Sequence, residues 1–333
     1  MTPPRIAFTI GDVNGIGPEV LLKALARPEL HAVCSPIVVG NARLLESCAA
    51  LPGAGEASVA GLELRVGRYA IPIAECPSRA VPAPGAHDPH AGQLAGSAIE
   101  RAVRMAVSGE AEGIVTMPIS KEGLNAGGYH FPGHTEMLAA LAGGEPLMIL
   151  LTRGMRVALV TIHIPLAAVP KAITAETVRR RLEAFAGSLR NDFGVSDPQI
   201  AVLGLNPHAG ENGTIGTEER DAIRPAIARA CGTGIRAEGP FPADGFFARY
   251  DPARYHGILA MYHDQGLIPL KMMARGHGVN VTAGLPIVRT SPDHGTAYDI
   301  AGRGMADAES TLEAVRVAVE IIHNRRKGAP QQG

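Results

Sequence analysis

The feature that most restricts the fold is an alternation running the length of the chain, in which short apolar, β-branched runs are followed by stretches with helical spacing of apolar residues. Short continuous apolar runs suit strands buried on both faces, and parallel neighbours need a crossover that a helix supplies. The pattern predicts strands over 5–10, 37–39, 113–116, 156–161, 199–204, 257–261 and 279–282. It predicts helices over 18–26, 41–49, 93–107, 175–189 and 218–230, and a last one opened by the capping box Ser310-Thr-Leu-Glu313. The expected class is α/β with a mainly parallel sheet, not a sandwich or a bundle. At roughly 100–200 residues per domain, 333 residues make two domains. The 40 Gly and 26 Pro against 4% aromatic residues imply tight turns and an aliphatic core. The segment 77–89, with four prolines, reads as a surface loop, and 327–333 as a frayed tail.

Charge and hydropathy remove whole classes of function. The 31 Lys+Arg nearly balance 32 Asp+Glu, so no whole-chain field favours nucleic acid or an anionic membrane. Apolar stretches such as 148–151 and 157–160 are cut by Arg153, Gly154 and Arg156, far below the ~20 residues of a span. The first apolar run breaks at Gly11-Asp12, leaving no room for the apolar core of a secretory signal, and the cytoplasm is the expected compartment. Cys34, Cys48, Cys76 and Cys231 are scattered without a C-x-x-C pair, which reads as four buried thiols.

Three histidines fall in equivalent places. His163, His208 and His263 each stand just past the carboxyl end of an apolar strand, the edge at which open α/β sheets bind ligands. Their separations of 45 and 55 residues are too long for a local ligand pair, but adjacent strands could bring three imidazoles together as a catalytic divalent-metal site. Asp264 and Glu211 lie close enough in sequence to orient an imidazole or complete the shell. A structural role for each histidine weighs about equally at this point.

The turn Gly11-Asp-Val-Asn-Gly15-Ile-Gly17-Pro-Glu19 is glycine-rich and joins a strand to a helix. Val20 replaces the third glycine of a dinucleotide fingerprint, and the second strand ends without the acidic residue that would bind a ribose. A helix-packing turn is therefore the default reading of this segment. The loop 210–216 before a helix is a weaker candidate for cradling an anion. Lys271, Asn280 and Arg289 could hold a phosphate and a carboxylate, Arg by a fork and Lys as a point charge, with scattered surface cations as the alternative. Two polar, turn-rich segments, 132–136 and 291–302, are placed as functional loops are.

Taken together, Gly133-His-Thr-Glu136, His163-Ile-Pro-Leu166, Gly204-Leu-Asn-Pro-His-Ala-Gly-Glu211, Gly239-Pro-Phe-Pro-Ala-Asp244, Tyr262-His-Asp-Gln-Gly-Leu-Ile-Pro-Leu-Lys271, Gly278-Val-Asn-Val-Thr282 and the run 291–302 resemble the 4-hydroxythreonine-4-phosphate dehydrogenase family of vitamin B6 synthesis. The resemblance covers nearly the whole chain, in order. It implies a fold similar to isocitrate and isopropylmalate dehydrogenases, with two α/β/α domains, an interdomain active-site cleft and a homodimer. The domains implied are 1–117 with 285–330 on the cofactor side, and 118–284 for metal, substrate and dimerisation. It implies NAD, with NADP as a second candidate, and one divalent ion per site, Zn, Mg or Co, on His163, His208 and His263, with His263 from the partner subunit. His134, Thr135, Lys271, Asn280 and Arg289 match substrate-binding positions, and Asp244, Asp264 and Lys271 are the candidate catalytic or supporting groups. Gly11, Asp12, Gly15, His294, Gly295, Thr296 and Asp299 are the candidate cofactor contacts. The implied reaction is oxidation of 4-phosphohydroxy-L-threonine at C3, then decarboxylation to 3-amino-2-oxopropyl phosphate.

Two rivals stand beside that reading. Related dehydrogenases act on 4-phospho-D-threonate, 4-phospho-D-erythronate or a cyclic dihydrodiol dicarboxylate. A metal-dependent aldolase or phosphohydrolase would use the same histidines and cations without a nucleotide.

Overall fold

The structure is a computed structural model and describes residues 2–53, 55–131 and 133–328. In chain order the strands are β1 (Arg5–Thr9), β2 (Ser35–Gly40), β3 (Ala57–Ala60), β4 (Glu63–Val66), β5 (Tyr69–Glu75), β6 (Gly113–Thr116), β7 (Leu147–Thr152), β8 (Met155–Leu159), β9 (Gln199–Leu203), β10 (Arg236–Phe241), β11 (Gly257–Ala260), β12 (Val279–Ala283) and β13 (Arg289–Pro292). The helices are α1 (Gly17–Leu25), α2 (Pro28–Val33), α3 (Ala42–Ala49), α4 (Pro89–Val107), α5 (Lys121–Ala126), α6 (His134–Ala142), α7 (Val169–Ala172), α8 (Ala175–Asn191), α9 (Arg224–Gly232), α10 (Ala243–Ala248), α11 (His263–Ala274) and α12 (Glu309–Gly328). None of the described helices is long and apolar enough to cross a membrane.

The described chain forms two compact units, one reaching to Pro146 and including Leu285–Ile322, the other Leu147–Gly284 with residues 323–328. The segment 118–146, expected with the second domain, belongs to the first, because α5 and α6 both pack on α4. In the first unit the strand order is β13-β6-β1-β2-β5-β4-β3. Its first five strands pair in parallel, and β5, β4 and β3 form an antiparallel edge. Helix α4 lies across β1, β2 and β6. In the second unit the order is β10-β9-β11-β8-β7-β12, parallel from β10 to β8 and antiparallel beyond. One face of that sheet supplies Val157, Leu159, Leu203, Ile258 and Ala260 to a core closed by Leu267 and Leu270 of α11. On the other, Gly257 leaves room for the Phe185 ring of α8.

Local chemistry sets several boundaries. Asn41, Asp88, Ser120 and Thr174 each accept a backbone N–H in the first turn of the helix they precede. Helix α4 begins at Pro89, a full turn before the expected start, because an N-terminal proline loses no intrahelical bond. Ser310 does not cap α12; the Asp307 carboxylate accepts from Glu309 N instead, and the Ser310 hydroxyl accepts from Asp293 N. The expected helix over 218–230 opens with a wide π turn, Glu219–Ile223, before α9. Pro77, Pro82 and Pro84 do lie in a loop, whereas Pro89 opens α4; residues of the expected tail beyond 328 lie outside the described part. Cys34, Cys48 and Cys76 are buried, and burial pushes their thiols up to about 12, 12 and 11, so they stay protonated. Cys231, expected buried, is exposed.

Helices α4 and α5 meet at backbone distance. A Cβ added to Gly92 would stand 1.8 Å from the Gly123 carbonyl oxygen. Alanine is the better helix former by about 1 kcal/mol, but overpacking costs typically about 1–3 kcal/mol, and here it is backbone that must move. Gly92→Ala should therefore lower the melting temperature by several degrees, and an unchanged or raised value in thermal melts would show that the contact is not tight.

Candidate functional site

The second unit gathers the three strand-end histidines on one edge of its sheet. β9, β11 and β8 are consecutive parallel neighbours, so the segments that follow them, carrying His208, His263 and His163, leave the sheet on the same side. Pairing of β8 with β11 continues past the strands through Val160 N and Thr161 N, donating to the Ala260 and Met261 carbonyls at 2.9 and 3.1 Å. The Thr161 hydroxyl adds a 2.8 Å bond to the Met261 carbonyl. That clamp brings the His163 and His263 rings to 5.5 Å between centroids. Both rings of this pair belong to one chain. Gln265 ties the neighbouring strand in, accepting from Met261 N at 2.7 Å and donating to the Gly204 carbonyl at 2.6 Å.

His263 is the first residue of α11, and the Asp264 carboxylate lies 2.7 Å from its Nδ1. A carboxylate there fixes the tautomer that leaves Nε2 with its lone pair outward, the arrangement that suits a metal-binding imidazole. His208 is exposed and sits in a turn of opposite hand: His208, Ala209, Gly210, Glu211 and Asn212 have φ of 53, 50, 77, 42 and 57°. Left-handed backbone costs non-glycine residues roughly 1–2 kcal/mol each, so other contacts must hold it. Among the described residues no set of three or more His, Cys, Asp or Glu side chains is already gathered as a metal cage. Two imidazoles, one carboxylate-oriented, fit a divalent ion as part of its donor set, with His208 outside the pair. Asp244 lies in the first turn of α10, exposed to solvent. Lys271 lies on the exposed side of α11. Asn280 is on β12 opposite Leu150, its Oδ1 buried without a hydrogen-bond partner.

The first unit holds the remaining candidates in two groups. Arg289 opens β13 and is only 2% exposed; its Nε and Nη2 donate to the Thr116 hydroxyl at 3.1 and 2.6 Å. Burial pulls its pKa down to about 9, so it stays cationic at neutral pH. His134 and Thr135 open α6. Burial, then the charges of Arg289 and Lys121, hold the His134 imidazole well below its ordinary pKa, and its Nε2 has no hydrogen-bond partner among the described residues. A neutral imidazole, a buried guanidinium and a helix N-terminus together make an environment for an anion. Lys121, which sequence reasoning passed over, adds its charge to this group; the only sequence signal was its place one turn after β6.

The second group is the glycine-rich turn. Gly11 has φ +72°, and an added Cβ would lie 2.6 Å from the Pro118 carbonyl oxygen. Gly15 packs on Thr296, whose carbonyl accepts from Ile16 N at 2.9 Å. Asp12 is 2% exposed and accepts from Asn14 N at 2.9 Å and from the Tyr298 hydroxyl at 2.6 Å. Burial and the Asp12 carboxylate raise the Tyr298 phenol, which remains a donor. Asn14 in turn holds the proline-rich loop, donating to the Ala86 carbonyl at 3.0 Å and accepting from Ala83 N at 2.8 Å. Thus the turn and the 294–299 loop do come together, and Asp12 works inside that junction instead of facing outward. His294 Nδ1 lies 3.2 Å from the Gly295 carbonyl oxygen, while Gly295 and Asp299 are exposed.

Residues 32–318 match the family model for "Pyridoxal phosphate biosynthetic protein PdxA". The chain is 44% identical to a 4-hydroxythreonine-4-phosphate dehydrogenase of Paracoccus denitrificans over 335 aligned residues, covering 98% of this chain and all of the relative. Among solved structures it is similar to enzymes of the same name from Burkholderia phymatum, 40% identical with TM-score 0.79 over 96% of this chain and 99% of that one, and from Klebsiella pneumoniae, 37% identical with TM-score 0.83 over 96% and 98%. A match of this extent, carried by the sheet and loops just described, makes the chain a member of the PdxA family of pyridoxal phosphate biosynthetic proteins.

Proposed function

We propose that the chain oxidises 4-phosphohydroxy-L-threonine at C3 with NAD and releases 3-amino-2-oxopropyl phosphate and CO₂, as a cytoplasmic step of pyridoxal phosphate biosynthesis. The observation that carries this reading is the near full-length match to dehydrogenases of that name. The strand-end histidines agree with it. His163 and His263, with His208, are the metal ligands. When bound, a divalent ion supplies Lewis acidity toward a substrate hydroxyl and NAD supplies the hydride acceptor. Asp264 orients His263 through Nδ1. In the homodimer that the resemblance implies, His263 would come from the partner subunit to join His163 and His208. Ile164, Leu166, Ile268 and Met272, exposed apolar residues beside the two histidines in sequence, support such a homodimer.

Arg289, His134, Thr135, Lys271 and Asn280 are the proposed substrate groups. Arg289 offers a fixed fork for an anionic oxygen, and His134, kept neutral, donates or accepts a hydrogen bond without adding charge. The paired Gly11–Gly15 turn and 294–299 loop are the proposed nucleotide seat, with Asp12 holding the two together.

NADH formation from 4-phosphohydroxy-L-threonine, with and without a chelator and beside 4-phospho-D-threonate and 4-phospho-D-erythronate, tests the reading. Chelator-sensitive NADH from the first substrate is expected; turnover of only the sugar acids would keep the chemistry and replace the substrate. No NADH from any of them would favour a hydrolase or aldolase. Arg289→Lys should raise KM by roughly tenfold or more with a smaller change in kcat, since it keeps the charge but loses the fork; an unchanged KM would take Arg289 out of the site. His134 is neutral in the fold, whereas the unfolded chain protonates its histidines near pH 6.5. Stability should therefore fall as pH drops below about 6.5, and His134→Gln should show a shallower loss of Tm between pH 7.5 and 5.5. Parallel slopes in the two proteins would contradict the neutral assignment.

A further inference from the structure

The left-handed turn that carries His208 is built around the carboxylate of Glu219, which is 2% exposed. Oε1 accepts from Leu205 N and Asn206 N, both at 2.7 Å, and Oε2 accepts from Asn206 Nδ2 at 2.9 Å. Glycines on both sides admit it: a Cβ on Gly204 would lie 3.1 Å from Oε1, and one on Gly210 2.6 Å from Oε2. Glu218 braces the same amide, its Oε2 accepting from Asn206 Nδ2 at 2.7 Å and from Thr217 N at 3.1 Å. The carboxylate thus grips the two residues before Pro207 and reaches the residue two after His208. Glu219 is also where the π turn widens the helix start, a local irregularity of the kind that recurs at functional sites. His208 itself is exposed, so its imidazole is placed by this backbone and not by side-chain packing.

We propose that Glu219 is the positioning residue of His208, holding the Leu205–Asn206 backbone so that the left-handed turn presents the imidazole as a metal ligand. The inference rests on the reading of His208 as a ligand given above. It makes Glu219 a determinant of metal affinity although it touches neither metal nor substrate.

The test is titration of metal-free protein with Co²⁺ alone, followed by calorimetry and by the visible cobalt bands, for the wild type, His208→Ala, Glu219→Ala, Glu219→Gln and Phe185→Leu. Loss of an orienting partner typically weakens metal binding about 10–100-fold, and Glu219→Ala should fall in that range with altered cobalt bands. Glu219→Gln should lie between it and the wild type, because its carbonyl oxygen still accepts from the two backbone N–H groups while its amide opposes that of Asn206. Phe185→Leu, a buried core change in α8 outside the Glu219 hydrogen-bond set, should lower Tm without moving Co²⁺ affinity. Wild-type affinity in a folded Glu219 variant, beside a loss in His208→Ala, would overturn the proposal. So would an equal loss of affinity in Phe185→Leu, which would make the effect one of general stability. If Glu219→Ala does not fold, Glu219→Gln decides. Should His208→Ala bind Co²⁺ as the wild type does, the ligand set itself is wrong and the positioning role falls with it.

Discussion

Parallel pairing of β9, β11 and β8 is the constraint on which the rest of the second unit depends. Gly257 and Ile258 of β11 stand level with Ile200 and Ala201 of β9, and Ile258 stands level with Val157 of β8. Strands that run together in register end together, so three segments distant in sequence emerge on one edge. The burial of Val157, Leu159, Leu203, Ile258 and Ala260 keeps that register, since a one-residue slip would turn every one of them to the opposite face. The histidines are thus aligned by apolar packing several residues away from them.

Polar groups do the corresponding work where the backbone leaves regular structure. Asp12, Asn14, Glu219, Gln265 and Thr161 accept or donate hydrogen bonds that join separate loops. A buried polar group without a partner costs about 1–3 kcal/mol, so each of these side chains holds its loop in the one arrangement that satisfies it. Arg289 and His134 differ in kind. Burial acts against charge on both, which leaves the guanidinium charged at neutral pH and the imidazole neutral.

Much of this was legible in the residues. Continuous apolar runs marked β1, β6, β8, β9, β11 and β12 because strands buried on both faces have no polar side to hide the signal. The edge strands β3, β4 and β5 were not marked: their burial alternates and they are joined by tight turns at Gly61 and Gly67, so little apolar density accumulates. Helix α11 escaped because His263 and Asp264 at its start read as strand-end loop, and Pro269 lies inside it. The capping box at Ser310 had the right residues one turn from the right place, and Asp307 lay nearer the free N–H groups. No sequence signal announced five left-handed residues from His208 to Asn212, since four of them are not glycine and favour the right-handed basin locally.

What the sequence determined by itself is what depends on neighbours along the chain: the apolar runs, the helix starts at Asn41 and Thr174, and the presence of a histidine after each of three strands. The family motifs belong to the same category, since they are words of consecutive residues. Only the tertiary structure decided that His163 and His263 meet within one chain, that Asp12 faces Tyr298 inside the fold, that α5 and α6 stay with the first unit, and that Glu219 closes on the turn of His208. Those contacts join residues up to 286 positions apart, and their energies come from desolvation and hydrogen-bond geometry that exist only once the sheets have formed.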